Sequence, residues 1–224
     1  MSGVLLSEDD VRIPADVFDL AGFRRWVHSV DFPQRGKISF LGGEVHIDLS
    51  PEEIETHNKI KTAIIICLGR WIARRSLGDL LTDGALLVNR DAELSTEPDL
   101  LFCSFDSLLR NLVAYREAVD GSLRFVEVNG TPDLVVEIVS RYSERKDTQE
   151  LRRRYFLAGI PEYWLIDARG EAIDFQLLKR GKTRYVAVRA DADGFRRSAA
   201  LDGKFRITRD RNRVGGYRYT VEGR

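Results

Sequence analysis

Apolar and polar positions along the chain fall into blocks whose period changes repeatedly. Leu134, Val135, Val136, Ile138 and Val139 form a nearly continuous apolar block rich in β-branched residues. That pattern predicts a strand buried on both faces of a sheet. Over residues 16–29, Val17, Leu20, Phe23, Trp26 and Val27 recur at helical spacing, behind a polar segment 1–14. A second helical stripe, Ile60, Ile64, Leu68, Trp71 and Ile72, predicts a helix from Ser50 to about Ser76. Ser50, Pro51 and Glu53 read as its capping-box start and Gly78 as its stop. Alternation of Ile38 with Phe40, and of Val45 with Ile47, around Gly42-Gly43 predicts a hairpin over 37–49.

Shorter blocks fill the rest. One or two strands are expected over 80–88 around Asp83-Gly84, and another over 100–103, opened by Pro98. A short helix over 104–113, a charged loop over 114–121, a strand over 123–128 and a turn at Asn129-Gly130 lead into the central block. Beyond it come a helix from Ser143 to Ala158 closed by Gly159 and Pro161, a strand over 162–167, and a hairpin over 172–189 around Gly181. The whole predicts an α/β fold, with a helical extension over 1–30, a main domain over 31–190 and a basic β extension over 191–224.

Composition changes little in that picture. With 224 residues, 43% hydrophobic and 31% charged, the chain can bury a sizeable core. Lys plus Arg and Asp plus Glu are both 35, so net charge argues for no polyanion partner and any such argument must be local. The local exception is the stretch 204–219 of the tail, where Lys204, Arg206, Arg209, Arg211, Arg213 and Arg218 stand against the single acid Asp210. It reads either as a solvated face or as a phosphate contact. Cys67 and Cys103 have no metal-ligand spacing, which fits a reduced, cytoplasmic protein without structural zinc. No signal peptide is evident, and no apolar run approaches the ~20 residues of a membrane span.

The candidate chemistry is carboxylate chemistry. Asp99 sits at a strand mouth after Pro98, and Glu137 lies inside the central block. A buried carboxylate needs a proton, a cation or a metal to compensate its lost hydration. Should the two strands be neighbours, the two acids converge, and paired carboxylates are the oxygen ligands Mg²⁺ takes. Such an ion activates water for phosphodiester hydrolysis. Lys146, nine residues after Glu137, is the cation best placed to neutralise phosphate. Simple ion pairing of these acids with Arg145 or Lys146 is the bland alternative. His57 borders the second helical stripe and reads as a packing residue or a ligand; Glu44 reads as an exposed strand residue; Asp133 reads as a strand-start residue structuring its loop.

Taken together, certain blocks resemble the Uma-two family of restriction-endonuclease-like proteins in the PD-(D/E)XK nuclease superfamily. They are Gly43-Glu44, His57, Glu97-Pro98-Asp99-Leu100, residues 132–140 (PDLVVEIVS), Asp147 with Tyr155, and residues 159–167 (GIPEYWLID). The resemblance implies a mixed central sheet flanked by helices, a Mg²⁺ (or Mn²⁺) site at Asp99 and Glu137, and Glu44 and His57 nearby. It implies cleavage of DNA by metal-activated water; cutting both strands of a duplex commonly uses a two-fold homodimer, the commonest closed assembly. The lysine positions of the superfamily and family patterns are Val139 and Leu151 here, which leaves Lys146 as the expected cation. The alternative is a nuclease fold without catalysis that binds nucleic acid or a protein partner.

Overall fold

Residues 13–33, 35–117 and 125–224 are described by the computed structural model, so the expected segment 1–14 lies mostly outside them, as does part of the loop and strand expected over 114–128. The chain opens with α1 (Leu20–Val27), whose first turn is capped by the Asp19 carboxylate on the Gly22 N–H at 2.7 Å. The hairpin follows as β1 (Lys37–Leu41) and β2 (Glu44–Asp48). Its turn residues Gly42 and Gly43 have φ of +62° and +95°, which only glycine adopts without strain.

The second helix ends where expected, at Ser76, but its capping residues differ at both ends. Ser50 does not cap it, because Asp48 claims both the Ser50 N–H and its hydroxyl. Instead the Glu53 carboxylate accepts from the Glu55 and Thr56 N–H groups, and the helix opens as a π-helical turn (Ile54–Asn58). There the Asn58 N–H reaches back five residues to the Glu53 carbonyl at 2.9 Å. Helix α2 (Lys59–Arg75) continues to Ser76, which itself takes the left-handed cap position at φ 51°. Gly78 has another role: a Cβ there would lie 2.1 Å from the Cys103 carbonyl oxygen, so the glycine permits close strand pairing.

Strands β3 (Gly78–Thr82), β4 (Leu86–Asn89), β5 (Leu94–Thr96) and β6 (Leu100–Ser104) lead to the short helix α3 (Phe105–Leu109). Part of the expected charged loop is a strand, β7 (Val113–Glu117), because its backbone pairs with β8 (Phe125–Gly130). Asn129 and Gly130 belong to β8 rather than to a free turn. The central block is β9 (Leu134–Ile138). A π-helical turn (Lys146–Leu151) and α4 (Arg152–Leu157) carry the chain to β10 (Glu162–Asp167), which pairs parallel with β9. Strands β11 (Asp174–Arg180), β12 (Tyr185–Ala187), β13 (Arg196–Ser198), β14 (Gly203–Arg211) and β15 (Tyr217–Gly223) complete the chain.

Among the described residues the strands form three sheets, ordered β12-β11-β10-β9-β6-β3, β2-β1-β5-β4-β8-β7 and β13-β14-β15. Strand β9 sits inside the first and is buried along its whole length. One of its faces, Leu134, Val136 and Ile138, packs on Ile60, Ile64 and Leu68 of α2 and on Phe205 of β14. The other, Val135 with Val139, meets Leu151, Tyr155 and the second sheet through Leu87 and Val128. Each fully buried aliphatic side chain contributes about 2 kcal/mol. Helices on one sheet and a second sheet on its other face give a mixed α/β fold, as the sequence pattern predicts.

Most of the tail cations are engaged within the protein. Arg206 pairs with Glu222, Arg218 with Asp210 at 3.8 Å, Lys204 with Asp191 at 2.9 Å, and Arg209 donates to the Ala168, Gly170 and Glu171 carbonyls. Glu162 ties this region to the central sheet. Its buried carboxyl accepts from Trp164 Nε1 at 2.7 Å, Ser198 Oγ at 2.6 Å and the Ala199 N–H at 2.9 Å. Glu162→Ala leaves these donors without an acceptor, and each buried orphan costs about 1–3 kcal/mol. Urea unfolding of this variant is expected to show a loss of about 3 kcal/mol or more; a midpoint unchanged from the wild type would contradict the assignment.

Candidate active site

Antiparallel pairing of β6 with β9 sets Leu100 opposite Val136, and this register brings the two sequence-predicted acids together. Asp99 precedes Leu100 and its Oδ2 accepts the Ile138 N–H at 2.8 Å. The Asp99 N–H points at Glu137 Oε2 at 3.5 Å. Glu137 lies on the Val135 side of β9, where Tyr155 of α4 donates its hydroxyl to Oε1 at 2.5 Å. Asp99 is 1% and Glu137 3% exposed, so both are held by protein and by whatever enters the adjoining cleft. Asp133 is no part of this. Its carboxylate accepts from the Ser104 N–H and the Ser107 hydroxyl, at 2.7 and 2.8 Å, and so structures the start of α3.

The cleft has a volume of about 430 Å³ and is lined by Lys37, Glu52, His57, Asp99, Glu137 and Lys146, among others. Both π-helical turns face it. One presents His57, and the other presents Lys146 and Asp147; such turns recur at functional sites because the extra residue re-aims side chains. His57 Nε2 lies 3.3 Å from Asp99 Oδ2, and its Nδ1 lies 3.7 Å from Glu52 Oε2. Lys146, 15% exposed, lies 3.7 Å from Asp147 Oδ1. Of the residues predicted from sequence, Asp99, Glu137, His57 and Lys146 therefore meet at one cleft. Glu44 is not brought there. In the hairpin register Lys37 pairs with Asp48 while Glu44 pairs with Leu41 at the turn, so the strand carries Glu44 away by roughly 13 Å. It is exposed, 3.5 Å from His46.

Several residues at the site escaped the sequence reading. Lys37 Nζ sits 2.5 Å from Asp99 Oδ1 and 3.3 Å from Asp83. Lys61 pairs with Glu52, with Asp83 at 2.8 Å and more distantly with Asp99 at 3.8 Å. Lys61 had a legible signal. It lies one turn after His57, on the buried stripe of α2, where a charge is out of place. Glu52 was passed over beside the capping residue Glu53; its carboxylate turns to Lys61, Asn58 and His57.

The electrostatics divide the two acids. Burial alone raises the Asp99 carboxyl, but the hydrogen bond from His57 and the charge of Lys37 hold it well below the usual carboxylate range. Burial, together with Asp147 and Asp99 close by, pushes Glu137 up to about 8. Burial likewise raises Asp147 to about 6, opposed by Lys146. Seven acids line the cleft against Lys37 and Lys146. Glu52, His57 and Asp99 each offer a ligand atom, all within 4.8 Å of one another. Buried His57 Nδ1 and Asp147 Oδ1 have no hydrogen-bond partner. An excess of negative charge, converging oxygen and nitrogen donors and orphaned buried polar atoms are what a divalent cation satisfies, so these residues fit one.

Known proteins agree with this architecture. The crystal structure titled as a putative nuclease belonging to DUF820 from Anabaena variabilis superposes with a TM-score of 0.59. It covers 82% of this chain and 90% of its own, at 13% identity, and so shows a common fold. No curated protein matches the chain. The profile of the Uma2 family, described as "Putative restriction endonuclease", matches residues 20–209, and this chain belongs to that family.

Proposed function

We propose that the chain is a metal-dependent endonuclease that hydrolyses phosphodiester bonds of DNA. The observation that carries this reading is the meeting of Asp99 and Glu137, from adjacent antiparallel strands, at a cleft that also holds Glu52, His57 and lysines. Family membership supports the same chemistry.

Asp99 and Glu137, with Glu52 and His57 beside them, would hold the cation. Carboxylate oxygens suit Mg²⁺ and Mn²⁺, while an imidazole nitrogen favours later transition ions, so Mn²⁺ is expected to serve at least as well as Mg²⁺. A bound divalent cation would polarise the phosphate and make its water a nucleophile near neutral pH. The remaining work falls to the chain's own residues. Tyr155 fixes Glu137 through the 2.5 Å hydrogen bond, and the Ile138 N–H fixes Asp99. Lys146 reaches the cleft without a short hydrogen bond to any described residue, which leaves its ammonium available for a phosphate oxygen. With zero net charge the chain offers no bulk attraction for DNA, so phosphate contact falls to individual cations such as Lys146 and, in the loaded site, to the bound cation. A two-fold dimer would give each strand of a duplex its own cleft. No described helix is long and apolar enough to cross a membrane.

The test is a labelled DNA duplex incubated with Mg²⁺, with Mn²⁺ and with EDTA. Cleavage in either metal and none in EDTA is expected. A folded protein that is stabilised by metal yet cuts nothing would favour a binding module that keeps the fold without catalysis.

A further inference from the structure

Three ammonium groups stand around the candidate site, and they are not equivalent. Lys61 is 6% exposed and pinned by Glu52 and by Asp83. It comes from the buried side of α2, packed beside Ile60 and Ile64, so it is an inner counter-ion with nowhere to go. Lys146 comes from the second π-helical turn, beside Asp147. Lys37 differs from both. It is the first residue of β1, is 26% exposed at the mouth of the cleft, and is the nearest cation to Asp99. Its Nζ lies 2.5 Å from Asp99 Oδ1, 3.3 Å from Asp83 Oδ1 and 4.0 Å from Glu52 Oε1. Asp99 and Glu52 belong to the donor group that converges on the cleft with His57. Asp99 Oδ2 accepts from the Ile138 N–H and lies 3.3 Å from His57 Nε2, while Oδ1 faces the lysines, with Lys37 the nearer. The ammonium of Lys37 thus occupies the position from which a cation would take Asp99.

We propose that Lys37 is a displaceable counter-ion. In the metal-free protein it holds Asp99, and when a divalent cation takes that oxygen the ammonium swings on its four-carbon stem to a phosphate at the cleft mouth. The inference rests on the metal-centre reading above. Two like charges compete for one carboxylate oxygen, so the lysine weakens cation binding while offsetting part of the negative charge of the empty site. It then returns the same charge to the anionic substrate, where an ammonium is favourable. Partial exposure makes the movement possible, since the stem needs no repacking of the core.

The experiment is a calorimetric Mn²⁺ titration of the wild type, Lys37→Met and Lys37→Arg, followed by inorganic phosphate titrated into each Mn²⁺-loaded protein. Circular dichroism melting establishes that the variants fold. Lys37→Met is expected to bind Mn²⁺ on the order of tenfold tighter, and phosphate on the order of tenfold weaker, than the wild type. Lys37→Arg, which keeps the charge, is expected to lie near the wild type for Mn²⁺. A folded Lys37→Met with unchanged or weaker Mn²⁺ affinity, or with unchanged phosphate affinity, overturns the proposal while leaving the metal centre standing. A wild type that binds no Mn²⁺ overturns both readings, so the two failures are distinguishable.

Discussion

Asp99→Asn is expected to abolish metal-dependent cleavage, by at least ~10³-fold, and to remove the thermal stabilisation that Mn²⁺ gives the wild type. The asparagine keeps the shape of the carboxyl group and an oxygen for the Ile138 N–H. It loses the charge that balances Lys37 at 2.5 Å and that faces His57 at 3.3 Å. Removing one partner of a buried ion cluster costs about 3–5 kcal/mol, so the metal-free variant is expected to unfold at clearly lower urea. The pH dependence has a definite sign. Asp99 is held below its ordinary value of 3.8 by His57 and Lys37 against the opposing effect of burial. Its contribution is therefore present above that value and lost as pH falls through the lower folded one. The variant should lack this acid-side loss. Urea midpoints for both proteins between about pH 2 and 6 check the point; parallel curves would contradict it.

Glu137→Gln should cost as much activity and have the opposite effect on stability. Burial, with Asp147 and Asp99 nearby, pushes the Glu137 carboxyl up to about 8 from 4.5. The metal-free fold thus prefers this group protonated. That preference stabilises the fold fully below the unfolded value near 4.5 and is lost as pH rises through about 8. Glutamine has no proton to lose, and its oxygen can still accept from the Tyr155 hydroxyl. The metal-free variant is expected to match the wild type near pH 5 and to exceed it increasingly towards pH 9. Cation binding reverses the preference, because a ligating carboxyl must be ionised. Wild-type Mn²⁺ affinity should therefore rise with pH and release a proton, and the variant should show neither. Denaturation midpoints with and without Mn²⁺ across this range read both effects. A variant that is less stable than the wild type at pH 9 without metal would contradict the assignment.

Two adjacent carboxyls with opposite stability signatures are a consequence of long-range structure, and this is where the sequence was least legible. The central strand was plain from Leu134 to Val139, because β-branched residues without alternation admit few other readings. The hairpin around Gly42-Gly43 and the position of Asp99 at a strand mouth after Pro98 were equally plain, being set by local backbone chemistry. Pairing of β6 with β9 was a condition that the sequence stated but could not supply. Lys37 was invisible, because its contact with Asp99 joins residues 62 apart, across two sheets. Lys61 could have been found, as a charge on a buried helical stripe. Glu44 was carried by resemblance and misplaced with respect to the cleft, since only the hairpin register shows that Asp48 lies at the cleft end and Glu44 at the turn. Local motifs place residues on elements; which end of an element faces a site is decided by pairings far along the chain.

The measurement that bears most directly on the account is an anomalous difference map from crystals of the wild-type protein grown in Mn²⁺. The account predicts one strong peak in the cleft, about 2.2 Å from an Asp99 oxygen and within reach of Glu137, with the Lys37 ammonium moved off Asp99. Absence of a peak at saturating Mn²⁺, with Lys37 still on Asp99 Oδ1, would contradict it: the acids would then be a metal-free ion-pair cluster, and the fold would serve something other than metal-dependent cleavage.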